Sequence, residues 1–183
     1  MDHDLVAAAR RGDQAAFMDL VRPRSNRLFG IALQILRDID RAEDALQDAL
    51  VIAWRDLRGL RDPDRLDGWL RRLLVNICIR EATRQRRRAA NLMVLPIDGP
   101  AGPDDLLSIA DRDQLERGFR RLPPEQRAIL ALHHYLGYAP SEIAETLGIP
   151  AGTARSRLFH AHRAMRAALE ADARSVVAGG RSA

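Results

Sequence analysis

The stretch APSEIAETLGIPAGTARSRLFHAHRAMRAA, residues 139–168, decides the fold. Two apolar patterns meet in it at Gly148. Before that glycine, Ile143, Ala144 and Leu147 share one side of a helix. After it, Ala154, Leu158, Ala161 and Met165 follow at steps of four, three and four, a single stripe on a second helix. Ala144 is small where two helices would cross closely, and Gly148 takes a left-handed turn at little cost. These are the parts of a helix-turn-helix. The opposite face of the second helix, expected over Ala151–Leu169, carries Gly152, Arg155, Ser156, Phe159, His160 and Arg163, flanked by Thr153 and Arg157. Arginines and hydroxyls on an outer face suit guanine edges and phosphates in a major groove, and no acid stands between 150 and 166 to repel a phosphate. Taken alone, the stretch also fits an ordinary helical hairpin with a basic outer face.

Upstream, the segment from Leu95 to Asp105 holds three prolines and two glycines, so no regular element should cross it. The 183-residue chain therefore divides into a unit over 1–92, a linker over 93–106, a second unit over 107–171 and a short tail over 172–183. The first unit is helical as well. Ala42, Ala45, Leu46, Ala49, Leu50, Ala53, Trp54 and Leu57 recur at helical spacing, as do Leu28, Ile31, Ala32, Ile35 and Leu36 before them. Arg58 to Leu66, with Gly59, Pro63 and several aspartates, reads as a loop. Trp69, Leu70, Leu73, Leu74 and Ile77 then open a helix that ends in arginines. In the second unit Pro123-Pro124 starts a helix, since a proline in the first turn forfeits no hydrogen bond. No segment alternates with period two. The fold class is all-α: two small helical domains joined by a flexible linker, the C-terminal one a helix-turn-helix.

Charge is arranged in blocks that the formal excess of +4 conceals. All 29 basic residues are arginine. Residues 71–88 hold seven arginines against Glu81 alone, and 150–166 hold Arg155, Arg157, Arg163 and Arg166 with no acid. Acidic segments precede and separate them: nine acids against six arginines over 37–67, six against Arg112 over 96–116. Any one block reads as a solvated face; two nearly acid-free blocks in an acid-rich chain point to a pair of polyanion contacts.

Other function classes find no support. Cys78 is the single cysteine, which excludes an intrachain disulfide and a cysteine-based zinc site. No apolar run approaches a membrane span, and the acidic start Met1-Asp2-His3-Asp4 lacks a signal-peptide pattern, so a cytoplasmic protein is expected. There are no clustered carboxylates, no nucleophile with a base and no phosphate-binding glycine loop, and an enzyme is not expected. His160 and His162 stand on different sides of their helix and the adjacent His133-His134 diverge too, so neither a metal nor any other cofactor is expected.

The string Glu142-Ile143-Ala144 to Leu147-Gly148-Ile149-Pro150, then Gly152-Thr153-Ala154-Arg155-Ser156-Arg157-Leu158, resembles the promoter-reading C-terminal domain of extracytoplasmic-function sigma factors of bacterial RNA polymerase. Ala42-Glu43-Asp44-Ala45-Leu46-Gln47-Asp48-Ala49-Leu50 to Ala53-Trp54, with Trp69-Leu70 and Val75-Asn76, resembles that family's other domain. The likeness covers roughly residues 10 to 170, in the family's order.

The resemblance implies a dissociable specificity subunit that binds core RNA polymerase and promoter DNA and that an anti-sigma protein holds off. Asp44, Gln47 and Asp48 would contact the polymerase clamp. Trp54 would sit beside them, although its spacing favours a core position. The loop Arg58–Leu66, with Asp62, Asp64 and Arg65, would form a pocket for a base at the −10 element, and Asn76, Arg80, Arg84, Arg86, Arg87 and Arg88 would line the freed strand. On the second domain, Arg155, Ser156 and His160 would read base edges of the −35 element, with Arg163 on the same face and Thr153 and Arg157 on phosphates. The chain departs from the family pattern at Leu50, Arg80, Thr83, Ala139, His160 and His162. Ala139 stands at a helix N-cap where serine is common, a loss of about 1 kcal/mol. A helix-turn-helix regulator that never joins polymerase is the alternative; it would have no use for the acidic helix over 42–54 or the basic helix after it.

Overall fold

A computed structural model describes the backbone over 2–92 and 109–179, with side chains up to 88 and from 113 to 171. The proline- and glycine-rich linker falls outside the described residues. Every regular element among those described is helical, as the spacing of apolar residues requires. The chain forms two compact units, the first built mainly from the helices before residue 93 and the second mainly from those after 108.

In the first unit, α1 (Asp2–Arg10) leads to α2 (Gln14–Leu36), α3 (Ile39–Asp56), two single 3₁₀ turns (Leu57–Gly59 and Pro63–Arg65) and α4 (Leu66–Leu92). Aspartates start two of these helices: the Asp13 carboxylate accepts from the Ala16 N–H at 3.0 Å, and Asp38 does the same for Arg41 at 3.1 Å. α2 is the central element, packed on α1, α3 and α4. It buries Phe17, Leu20, Val21, Leu28, Ile31, Ala32, Ile35 and Leu36. α3 presents an alanine seam, Ala42, Ala45, Ala49 and Ala53, all buried, which lets it lie close on its neighbours. α4 buries Leu66, Leu70, Leu74, Val75, Cys78 and Ala82. From Arg84 to Arg88 every side chain is exposed, so the helix leaves the core where its sequence turns basic. The Arg24 guanidinium ties α2 to two other helices through Asp2 and Asp67, each at 2.5 Å, and also donates to the Leu20 carbonyl at 2.6 Å.

The second unit comprises α5 (Ile109–Arg121), α6 (Pro124–Leu130) continued by a π turn (Ala131–Tyr135), α7 (Pro140–Leu147) and α8 (Ala151–Gly179). α8 packs on α5 and α6. Gly118 permits the close approach of α5, because a Cβ there would stand 3.1 Å from the Met165 Cε and 3.2 Å from the Leu169 Cδ2. The expected stripe on α8 is the buried one: Ala154, Leu158, Ala161 and Met165. α7 ends as the sequence asks. Gly148 has φ +66°, and the Ile149 N–H reaches back to the Ala144 carbonyl at 3.0 Å, the bond of a Schellman cap. α8 runs beyond Leu169 to Gly179; residues 170–178 contain neither proline nor glycine, and four are alanine or glutamate, so nothing there stops a helix.

Candidate nucleic-acid interface

α4 carries the first basic surface. Asn76 and Arg80 line a groove of about 360 Å³ together with Trp69, Arg72, Leu73, Ile77 and Ile52 of α3. Further along the helix, Arg80, Arg84, Arg87 and Arg88 line a second hollow of about 400 Å³ with Ile79 and Thr83. Arg80 borders both, so the groove beside Trp69 and the arginine-lined hollow are neighbours along the helix. Helical spacing explains the grouping: 69, 73, 76, 80, 84 and 87 fall at steps of three and four. Arg86 does not line either hollow, and Arg84 is held by Glu81 at 2.5 Å. Trp69, which the sequence marked as part of an apolar pattern and of the family likeness but not as a contact, thus stands where a base could stack.

The loop residues are committed to local contacts. Asp62 caps the second 3₁₀ turn, accepting from the Asp64 N–H at 3.0 Å, and pairs with Arg65 at 3.5 Å. Asp64 meets His3 Nε2 at 2.8 Å, which ties the turn to α1. Leu60 and Leu66 are buried on either side, so the loop is anchored at both ends.

On α3, Asp44, Gln47 and Asp48 are exposed. Trp54 is half-buried, its ring edge-on to Phe17 with centroids 5.1 Å apart. It packs against α2 and also borders the surface. Gln47, Leu50, Val51 and Trp54 line an apolar hollow of about 400 Å³ with Phe17 and Met18; Met18 and Val51 are 46% and 45% exposed.

The second basic surface is the outer face of α8. Arg155, Ser156, Arg157, His160 and Arg163 are exposed and Thr153 is half-buried, so all six expected contacts lie on or beside one face. No carboxylate among the described residues pairs with Arg155 or Arg163. Ser156 donates its hydroxyl to the Thr153 carbonyl at 3.0 Å, leaving its oxygen as an acceptor only. Phe159, absent from the expected contacts, is 64% exposed on this face, its ring edge-on to His160 at 5.6 Å. An exposed phenylalanine between arginines can meet a thymine methyl; its position opposite the buried stripe was the signal.

The histidines behave otherwise than expected. The His134 and His162 Nε2 atoms are 2.8 Å apart, and the His133 ring lies edge-on to both, at 4.8 and 5.9 Å. The chain over Ala131–Tyr135 winds as a π turn, and within it the rings of the adjacent His133 and His134 meet edge-on. The third ring comes from α8, a contact that sequence spacing could not reveal. Partial desolvation of its ring, and then the neighbouring His133 and His162, hold the His134 pKa below its ordinary value. Cys78, at the core of α4, has its thiol pushed by burial up to about 12.

Residues 20–88 match the family described as Sigma-70 region 2, and residues 112–165 match Sigma-70, region 4. The chain is 35% identical over 168 residues to the ECF RNA polymerase sigma factor SigM of Mycobacterium tuberculosis, covering 87% of this chain and 80% of that protein. It is 29% identical over 181 residues to the RNA polymerase sigma-H factor of Pseudomonas aeruginosa, covering 92% and 94%. Among solved structures, CnrH in complex with the cytosolic domain of CnrY superposes with a TM-score of 0.65 at 27% identity, covering 93% of this chain and 98% of that one.

Proposed function

The chain belongs to the extracytoplasmic-function sigma factors of bacterial RNA polymerase, and on that premise we propose how its residues divide the work. As a sigma factor it directs transcription initiation at specific promoters. The unit over 1–92 binds core polymerase and opens the −10 element; the unit over 107–171 reads the −35 element; 93–106 links them and 172–183 is a tail.

Polymerase docks on the exposed face of α3 through Asp44, Gln47 and Asp48. The adjoining hollow, with Met18, Val51 and the edge of Trp54, offers the apolar area that a durable contact needs. On α4 the strand freed from the −10 element follows the change in lining. A base stacks near Trp69 and Asn76, and phosphates run on along Arg80, Arg84, Arg87 and Arg88. Arg86 serves as general positive charge. The anchored loop with Asp62, Asp64 and Arg65 receives the base taken out of the stack. On α8, Arg155, Ser156 and His160 read base edges, Arg163 and Phe159 extend that surface, and Thr153 and Arg157 hold phosphates near the helix start.

The protein contributes specificity and no catalysis of its own. It works in the cytoplasm with the polymerase; no helix among the described residues is long and apolar enough to cross a membrane. CnrH is held by the cytosolic domain of CnrY, and by likeness an anti-sigma protein holds this chain off polymerase until it is released.

The observation that carries this reading is the pairing, on one chain, of an arginine-lined groove on α4 with an unopposed basic face on α8. Purified protein added to sigma-free core polymerase is expected to give promoter-dependent transcripts. An active polymerase that yields none from any genomic template defeats the reading. Arg155→Ala is expected to weaken binding to the −35 sequence by about 1–3 kcal/mol and random duplex far less; equal losses would make Arg155 a phosphate contact.

A further inference from the structure

The cluster formed by His133, His134 and His162 is unused by promoter recognition as described above. Each of the three rings presents a ligand nitrogen within 4.8 Å of the others. Three imidazole nitrogens around a tetrahedral zinc at 2.0–2.1 Å stand about 3.3 Å apart. The 2.8 Å between His134 and His162 Nε2 needs only slight widening, and the longest edge needs closure of about 1.5 Å. His134 and His162 are exposed and His133 is half-buried, so the two outer rings can make that adjustment by rotamer change while His133 stays fixed.

The surroundings of His133 match what a metal ligand requires. Its Nδ1 lies 2.8 Å from the Tyr138 carbonyl; a carbonyl only accepts, so Nδ1 donates. The tautomer is then set and the lone pair of the neutral ring is on Nε2. A ring whose second nitrogen donates to a backbone carbonyl is the usual arrangement behind a metal-bound histidine. The carbonyl is placed by the turn itself: the Tyr138 N–H returns to the Leu132 carbonyl at 3.1 Å, across Gly137 at φ +71°.

We infer that His133, His134 and His162 form a site for a borderline divalent transition metal of the cobalt–zinc class, with water completing the coordination. Three neutral imidazoles and no carboxylate suit zinc, nickel, copper and cobalt and do not suit magnesium or calcium. Bound metal would pin the turn after α6 to α8, the helix that carries Arg155 and Arg163.

The test uses full-length protein without an affinity tag, titrated with CoCl₂ and with ZnCl₂. One equivalent is expected to bind, cobalt giving the visible d–d bands of a low-coordinate site that zinc then displaces. His134→Gln and His162→Gln are each expected to weaken binding at least about tenfold, with helical circular dichroism unchanged because both side chains are exposed. His3→Gln, in the other unit, keeps it. No saturable binding, or binding indifferent to His134→Gln and His162→Gln, overturns the site. A readout on the unmodified chain guards against misfolded variants: zinc should protect His133, His134 and His162, but not His3, from diethyl pyrocarbonate. Equal modification with and without zinc overturns the proposal as surely.

Discussion

At Ala139 the start of α7 has half of a capping box. The Glu142 carboxylate reaches back to accept from the Ala139 N–H at 2.8 Å, while the alanine has no oxygen to return to the first turn. Ala139→Ser supplies it, and Pro140 already sits in the first helical position. The variant is expected to be about 1 kcal/mol more stable in urea unfolding. The missing cap was legible in the sequence; the return bond from Glu142 was visible only as a spacing of three. Cys78 makes a second prediction. Folding raises its thiol pKa from 9.0 to about 12, so the unfolded chain gives up the proton first as pH rises. The contribution is whole below pH 9 and drains away between there and about 12. Wild-type protein should therefore lose stability above about pH 9 more steeply than Cys78→Ala, and below that pH its native thiol should resist alkylation. Phe159 shows the limit of residue-level reading. Helical spacing placed it outward, but only its exposure sets it apart from an aromatic tucked under a neighbouring side chain.

At the scale of elements, α4 changes role along its length, and its arginines should differ accordingly. Arg80 and Arg87 line the arginine-rich hollow and Arg80 borders the Trp69 groove as well, whereas Arg86 lines neither. With holoenzyme on a fork junction carrying a single-stranded −10 element, Arg80→Ala and Arg87→Ala should each reduce the salt slope of binding by about 0.7, the value for one single-strand phosphate contact. Arg86→Ala should leave it nearly unchanged. Equal effects from all three would mean the strand senses only the helix's total charge. Strongly periodic elements were legible: α3, the buried part of α4, and the α7–α8 pair announce themselves by apolar residues at three and four. α1 and α5 do not. α1 buries only Val6 and Ala9, and α5 is largely charged, its place set by Gly118 fitting against Met165 and Leu169 some fifty residues away. The π turn is likewise invisible to a reading that assumes one helical period, and the His162 ring reaches His133 and His134 from α8, a contact that no local spacing encodes.

Over the whole molecule, the net +4 is the remainder of two basic surfaces and the acidic segments around them. Using arginine alone suits both surfaces, because its planar fork pairs with guanine edges and with phosphates. Arg80 and Arg155 belong to separate units, and in the function proposed above each answers to its own promoter element. Neither shares a described partner with the other. If each element is read independently within the holoenzyme, the free-energy effects of Arg80→Ala and Arg155→Ala on open-complex formation should add to within about 0.5 kcal/mol in the double variant. The measurement is the equilibrium yield of open complex on one promoter for the four proteins of the cycle. A shortfall larger than that would mean that losing one contact already releases the other, so that the two readers act as a single clamp. Repeating the cycle on a promoter whose −35 element is scrambled separates the cases: Arg155→Ala should then have almost no effect while Arg80→Ala keeps its full one, and any surviving coupling must pass through the protein rather than through the shared DNA.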